Sequence, residues 1–266
     1  MLLVLDVSNI STKIGVYDGA DLVANWRIDT DWRQTADEYG LLITGLMQHH
    51  GVDTGRIKAA IMSNVVPPLI ATFEEMIGAY FGQRCVVISH ELDVGLKYRT
   101  DNPAETGADR IVNCLAAHRL YGGPSVVVKF GTATTFDAVS EDGAFLGGAI
   151  TAGLGLAADA LAERAARLYK VEMVAPPKAI ATDTVGNLQS GLMYGYVGLV
   201  EGLIKRFKDE LGPLKRVVAT GWEAQYIAPL TKAIDEVNPL LTLEGLRLAH
   251  EALCARGKRQ EGRGKS

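Results

Sequence analysis

Two short loops carry the residue types that could bind a phosphate group. One runs from Asp6 to Thr12 (DVSNIST) after an apolar stretch, and the other from Lys129 to Thr135 (KFGTATT). Backbone N–H groups and hydroxyls in such a loop can donate to phosphate oxygens, and the Asp6 carboxylate can hold Mg²⁺ directly or through water. One such loop is equally typical of an ordinary hairpin, whereas two copies in one chain favour a nucleotide site.

A third segment with chemical potential is NPAETGADR, from Asn102 to Arg110. Pro103 and Gly107 indicate a loop, after which Asp109 and its neighbour open a helix. The spacing leaves two interpretations open. Asp109 is either a carboxylate favoured at a helix start by capping and the helix dipole, or a general base beside an arginine that holds an anionic substrate.

The two phosphate-type loops lie in a repeated arrangement of strands. Residues 2–26 and 125–150 each read as strand, loop, strand, Asp-Gly turn and strand, with the turns about 124 residues apart. An Asp-Gly pair between apolar runs is typical of a β-hairpin. The repeat predicts an α/β protein of two similar lobes, residues 1–118 and 119–254, with the active cleft between them.

Composition agrees with two folded lobes and excludes several classes of protein. The 266 residues are 48% hydrophobic and 22% charged, which is typical of a globular chain. The net charge of −4 argues against nucleic acid or a membrane as the partner, so any phosphate must be bound locally. Three dispersed cysteines without Cys-x-x-Cys spacing favour the cytoplasm. Residues 255–266 are almost without apolar side chains and are predicted to form a disordered basic tail.

Together these segments resemble the type III pantothenate kinase family, which shares its duplicated ribonuclease-H-like lobes with actin, Hsp70 and the sugar kinases. The resemblance covers almost the whole chain. Its most specific part is the order of Gly107-Ala-Asp-Arg110 and Phe130-Gly-Thr-Ala-Thr-Thr135. The other matching segments are Asp6-Val-Ser-Asn9, Tyr17-Asp-Gly19, Ser63-Asn-Val-Val-Pro67, Gln189-Ser-Gly-Leu-Met-Tyr-Gly-Tyr196 and Leu241-Thr-Leu-Glu-Gly-Leu246.

The resemblance implies ATP-dependent phosphorylation of pantothenate to 4'-phosphopantothenate, the first step of coenzyme A biosynthesis, by a homodimer with Asp109 as general base. Mg²⁺ would accompany ATP, with Asp6 as its ligand. The implied ATP contacts are Asp6, Ser8, Asn9, Ser11, Thr12, Lys13, Thr132 and Gly221. The implied pantothenate contacts are Gly107, Ala108, Asp109, Arg110, Thr184 and Tyr98.

Four positions depart from the family pattern in the regions implied to contact ATP. Ser8 replaces a glycine, which adds a Cβ where glycine allows close approach or positive φ, and Ile10 replaces a hydroxyl. Trp222 stands in place of a second glycine after Gly221. Lys129 occupies the position of an aspartate that helps to hold a monovalent cation, so its ammonium is expected to remove a requirement for potassium or ammonium ions.

These departures leave alternatives to an ordinary pantothenate kinase. One is a catalytically impaired paralogue that acts as a ligand-binding or regulatory protein. The other is a kinase for a different small hydroxylated acid, which Thr100 and Asp183 support.

Overall fold

The computed structural model describes the backbone of residues 1–263 and the side chains of residues 1–257. The described chain divides into two compact units. Unit 1 contains Met1–Leu96, Asp101–Ala116 and the chain from Leu241 onward, and unit 2 contains Lys97–Thr100 and Ala117–Leu240.

Unit 1 is built on a five-stranded sheet with the strand order β3-β2-β1-β4-β5. Strands β1 to β3 are antiparallel neighbours, whereas β4 runs parallel to β1 and β5 parallel to β4. All six residues of β1 are buried, as expected for a central strand with both faces covered. The strands are β1 (Leu2–Val7), β2 (Ser11–Asp18), β3 (Asp21–Asp29), β4 (Ala59–Asn64) and β5 (Cys85–Val87).

The helices of unit 1 have recognisable start and stop signals. Helix α1 (Ala36–His49) opens on a capping box between Thr35 and Glu38, and α2 (Leu69–Phe81) ends at Gly82 in the left-handed conformation. Both pack against the sheet through a core that includes Tyr39 and Phe73. Helix α3 (Ala108–Tyr121) leaves unit 1 after Ala116.

Helix α7 (Leu241–Arg263) packs on the sheet of unit 1. The Leu243 side chain lies over Gly15 of β2, and the Arg247 guanidinium lies 5.7 Å from the centre of the Tyr17 ring. The structural units therefore differ from the predicted lobes, which put residues 119–254 together. The structure has helix through residue 263 where the sequence predicted a disordered basic tail over 255–266, and residues 264–266 lie outside the described residues.

Unit 2 is built on a six-stranded sheet with the strand order β11-β10-β7-β8-β9-β6. The strands are β6 (Lys97–Tyr98), β7 (Ser125–Phe130), β8 (Ala133–Val139), β9 (Ala144–Ala152), β10 (Arg216–Gly221) and β11 (Glu236–Val237). The helices that accompany it are α4 (Leu154–Arg164), α5 (Thr184–Leu211) and α6 (Ala224–Ile227).

The two sheets follow one plan, which confirms the predicted duplication. The order β3-β2-β1-β4-β5 corresponds to β9-β8-β7-β10-β11, and each corresponding pair has the same parallel or antiparallel sense. The turns at Gly19 and Gly143 both have positive φ, which the Asp-Gly pairs predict. Strand β6 is an addition to unit 2, beside β9. The chain thus has the α/β class and the two similar lobes expected from the repeat, with the ribonuclease-H-like plan that the family resemblance implies.

Candidate active site

In unit 1, the first phosphate-type loop is a tight turn at the end of β1. Asp6 is 2% exposed and lies opposite Lys13 of β2 and Ser63 of β4 in the sheet register. The Ser8 N–H donates to the Ser11 carbonyl at 3.2 Å and closes the turn. The buried carboxylate therefore lies directly beneath a short exposed turn.

The turn itself differs from what the glycine replacement led us to expect. Over the described residues, each residue with positive φ is a glycine, so Ser8 adds a side chain without backbone strain. Asn9 and Ile10 are exposed, with Ile10 at 64%. Thr12 is fully buried, with its Oγ1 2.8 Å from Oγ1 of Thr30. The exposed tip of the turn is thus formed by one amide and one hydrocarbon side chain.

The segment implied to contact pantothenate forms the first turn of α3. The Gly107 carbonyl accepts the Arg110 N–H at 3.0 Å and the Ile111 N–H at 3.2 Å. The Asp109 Oδ1 atom accepts the Arg110 N–H at 2.9 Å. A Cβ on Gly107 would lie 2.8 Å from that Oδ1 atom, so glycine leaves room for the carboxylate in this position. Asp109 and Arg110 are both partly exposed, as a group that meets substrate must be.

The structure brings this turn to the same edge of the sheet as the Asp6 loop. Strand β4 runs parallel to β1, and the Val65 N–H that follows it donates to the Val7 carbonyl at 3.1 Å. Val65 is also the apolar neighbour of Gly107, 3.8 Å from where its Cβ would be. The start of α3 and the end of β1 are therefore separated by one intervening strand end.

In unit 2, the second phosphate-type loop is held by close contacts between backbones. Lys129 lies in β7 opposite Thr135 of β8 and Thr220 of β10. The Thr132 carbonyl accepts the Gly153 N–H at 2.9 Å. A Cβ on Gly153 would lie 1.9 Å from the Gly131 carbonyl oxygen, a distance that only glycine permits. Gly153, the residue immediately before α4, thus allows close backbone packing against the loop.

The predicted ATP contact Gly221 lies beside the same loop. Its φ is +93°, and a Cβ there would lie 1.9 Å from the Phe130 carbonyl oxygen. Trp222 follows with 56% of its surface exposed. The indole therefore does not fill the interior of unit 2.

Two of the predicted pantothenate contacts are on other elements of unit 2. Thr184 is the exposed first residue of α5, after the N-cap Asp183. Tyr98 lies in β6, paired with Phe145 of β9. Both are thus outside the group of segments that surrounds the phosphate-type loop.

Two side chains that the sequence analysis missed, Tyr196 and Glu223, contact the second phosphate-type loop or the start of α4 beside it. The Tyr196 hydroxyl lies 2.5 Å from Thr134 Oγ1 and donates to the Ala152 carbonyl at 2.9 Å, and its burial raises its pKa. Glu223 accepts two backbone N–H groups at the start of α4. Tyr196 was in a segment matched to the family without a role assigned, whereas nothing in the local pattern distinguishes Glu223.

The donor set fits a magnesium ion that is bound mainly by a nucleotide. Among the side chains that the structure describes, no group of three or more His, Cys, Asp or Glu residues could hold a metal. Mg²⁺ is usually held by one or two carboxylates, with phosphates and water as the other ligands. The buried Asp6 carboxylate below the first loop is of the kind that could serve as such a single ligand.

The fold and these loops define a class that includes phosphate-transferring enzymes. The chain is similar to the inorganic polyphosphate/ATP-glucomannokinase from Arthrobacter sp. strain KM, with a TM-score of 0.52 and 16% identity over 96% of this chain and 98% of that one. It is also similar to the activator of the 2-hydroxyisocaproyl-CoA dehydratase from Clostridium difficile, solved with ADPNP, with a TM-score of 0.51 and 12% identity over 100% and 97% of the two chains. At these identities the likeness concerns the fold alone.

Sequence comparison identifies the family within that class. Residues 2–206 match the model of the type III pantothenate kinases. The chain is 48% identical to the type III pantothenate kinase of Moorella thermoacetica, over 94% of this chain and 99% of that protein. It is 49% identical to that of Roseiflexus castenholzii, over 94% and 98%. The chain therefore belongs to the type III pantothenate kinase family, which confirms the predicted relationship.

Proposed function

We propose that the chain transfers the γ-phosphate of ATP to the primary hydroxyl of pantothenate and forms 4'-phosphopantothenate for coenzyme A biosynthesis. The observation that carries this proposal is the first turn of α3, where Gly107 leaves space for the partly exposed Asp109 carboxylate. This turn lies at the same sheet edge as the buried Asp6. Family membership over nearly the whole chain supports the same reaction.

Asp109 acts as the general base in this proposal. Its carboxylate accepts the proton of the pantothenate hydroxyl while the hydroxyl oxygen attacks the γ-phosphorus and the bond to the β,γ-bridging oxygen of ATP breaks. Arg110, next to it, pairs with the carboxylate of pantothenate. Because phosphoryl transfer depends on positioning and charge stabilisation more than on covalent catalysis, a base and an anchor in one helical turn suit it. Gly107 and Ala108 shape that turn, and Thr184 and Tyr98 are proposed as further pantothenate contacts.

ATP binds to both phosphate-type loops in this proposal. The first loop contributes Ser8, Asn9, Ser11, Thr12 and Lys13, and the second contributes Thr132, with Gly221 beside it. Asp6 holds the Mg²⁺ that accompanies ATP. When bound, the ion neutralises charge on the phosphate oxygens.

Lys129 is proposed to supply the positive charge for which relatives use a monovalent cation. It lies on β7, at the start of the loop whose Thr132 carbonyl accepts the Gly153 N–H. Because the lysine ammonium is part of the protein, its positive charge is present without binding an ion from solution. We therefore expect turnover without potassium or ammonium ions.

A homodimer in the cytoplasm is proposed as the working form. Several large apolar side chains between β9 and the start of α5 are exposed, including Ile150 at 63% and Ile180 at 87%. A second copy of the chain that covered these side chains would remove them from water, which supports the proposed dimer. The three cysteines lie among the described residues and none forms a disulfide, which suits a reducing compartment. Over the described residues, no helix has the length and apolar character needed to span a membrane.

The proposed reaction is tested by a coupled assay of ADP release with purified protein, pantothenate and Mg-ATP, in buffers with potassium or with sodium alone. Pantothenate-dependent turnover that is equal in both buffers is expected. Turnover in potassium alone would contradict the role of Lys129 while leaving the reaction standing. No turnover with any nucleoside triphosphate would refute the kinase, and calorimetry that detects pantothenate but not ATP would then identify a ligand-binding paralogue.

A further inference from the structure

The second phosphate-type loop of unit 2 is confined by two glycine backbones. On one side, Gly153 would place a Cβ 1.9 Å from the Gly131 carbonyl oxygen, and on the other, Gly221 would place one 1.9 Å from the Phe130 carbonyl oxygen. Because neither contact leaves room for a methyl group, the loop cannot shift toward either glycine. The position of residues 130–132 is therefore set by where the chain holds Gly153 and Gly221.

One side chain joins the segments that carry these two glycines. The Glu223 carboxylate, two residues after Gly221, accepts the Leu154 N–H at 3.2 Å and the Gly155 N–H at 2.8 Å. These are the first two residues of α4, immediately after Gly153, and Gly153 itself offers no side-chain cap to the helix. A carboxylate at a helix N-terminus is favoured by the exposed N–H groups and the helix dipole. Glu223 thus links the segment of Gly221 to the segment of Gly153, and both glycines contact the loop.

Tyr196 of α5 makes a second connection between the loop and the segment of Gly153. Its hydroxyl donates to the Ala152 carbonyl just before Gly153, and lies 2.5 Å from Oγ1 of Thr134 in the loop. The negative charge of Glu223 contributes to the raised pKa of Tyr196, because the two side chains lie near each other. The loop, the start of α4 and the turn after β10 are therefore connected through hydrogen bonds as well as packing.

The electrostatics of Glu223 disfavour its ionised form. Burial raises its pKa, even though the hydrogen bonds from Gly155 and Leu154 act in the opposite direction. The folded chain therefore binds the proton more tightly than the unfolded chain does. As pH rises above the ordinary range of a glutamate, the ionised carboxylate makes the fold less stable rather than more.

We propose that Glu223 is a positioning residue for nucleotide binding, which fixes the Phe130–Thr132 backbone by tying the start of α4 to the turn that contains Gly221. This inference rests on the proposed function, in which that loop binds the phosphates of ATP. It assigns to Glu223 no contact with the nucleotide. Glu223 instead fixes the position of the backbone N–H groups that bind the phosphates.

The test uses Glu223→Gln, which keeps the size of the side chain and removes the charge, and Glu223→Asp, which keeps the charge and shortens the reach. The matched control is Asp235→Asn. Asp235 also accepts a backbone N–H, from Val217 at 2.7 Å, but at the opposite end of β10 from Gly221. Circular dichroism melts first establish which variants fold.

Two measurements are made on the full-length protein. Amide hydrogen exchange without nucleotide is expected to speed up in residues 130–135 and 153–157 in both Glu223 variants and to stay unchanged there in Asp235→Asn. The KM for ATP is expected to rise about tenfold in Glu223→Gln, the scale of one charge-assisted hydrogen bond, with the KM for pantothenate unchanged.

Unchanged exchange in the loop of both Glu223 variants would overturn the inference, whatever the kinetics show. Faster exchange with an unaltered KM for ATP, or an equal rise in Asp235→Asn, would also overturn it. If the wild-type protein shows no turnover, the proposed function fails, and hydrogen exchange alone then decides whether Glu223 positions the loop.

Discussion

Replacement of Gly153 by alanine isolates the steric demand of the second phosphate-type loop. The backbone there has φ −66° and ψ 161°, which alanine adopts without strain, so a variant changes only the space that the residue fills. The new Cβ would lie 1.9 Å from the Gly131 oxygen, and real Cβ atoms essentially never come closer than 3.0 Å to a neighbouring atom. The loop and the start of α4 must therefore separate by about 1 Å.

A displacement of about 1 Å in a group that orients a reacting phosphate can cost about a hundredfold in rate. We expect kcat/KM for ATP to fall by about that factor in Gly153→Ala. Overpacking is also expected to lower the free energy of unfolding by about 1–3 kcal/mol. The coupled assay gives the first quantity, and denaturant unfolding followed by circular dichroism gives the second.

Gly198→Ala is the matched control, since a Cβ at this exposed position of α5 would meet nothing within 4 Å. It should leave kcat/KM unchanged and stabilise the helix by up to about 1 kcal/mol. A Gly153→Ala protein with wild-type kcat/KM for ATP would refute the reasoning, because it would mean that the loop position has no bearing on the nucleotide.

Four further substitutions test other parts of the account. Asp109→Asn should lower kcat by about 10²–10⁴-fold at an unchanged Tm, the range for a lost general base, and retention of wild-type kcat would remove Asp109 from the mechanism. Lys129→Asp should make turnover depend on potassium, and potassium-independent turnover in that variant would count against the proposed substitution of lysine for an ion. Thr35→Ala removes the capping box of α1 and should cost about 1 kcal/mol in denaturant unfolding with kcat unaffected. Burial holds the pKa of His118 below its usual 6.5, so the unfolded chain binds the proton more readily than the folded chain. The stability of the fold therefore falls as the pH drops below 6.5. In His118→Gln the decrease of Tm with falling pH should be smaller, and an unaltered dependence of Tm on pH would contradict this role of His118.

The parts of the fold that follow from local patterns were predictable. Alternating apolar runs around Asp18-Gly19 and Asp142-Gly143 predict the hairpins, and their regular spacing predicts two equivalent sheets, which the strand orders confirm. Pro103 and Gly107 also indicate the loop that precedes α3. The family itself was recognisable from the order of these motifs.

The features of the fold and of the candidate site that could not be predicted depend on contacts between distant parts of the chain. Nothing local in the sequence of helix α7 indicates that it packs on β1 and β2 rather than on the strands nearest in sequence. Glu223 lies 68 residues from the Gly155 N–H that it accepts. The unstrained backbone at Ser8 was likewise invisible, because a glycine in a family pattern does not reveal whether its φ or its missing side chain matters.

The membership of α7 in unit 1 has a consequence for synthesis of the chain on the ribosome. Strands β1, β2 and β4 are translated before unit 2, yet Leu241, Leu243 and Leu246, which become buried in unit 1, are translated after it. Until they emerge, the apolar surface that they cover in unit 1 has no partner, whereas unit 2 ends at Leu240 and has all its strands available earlier. Unit 1 thus begins to be made before unit 2 but can complete its folding only after unit 2 has been made.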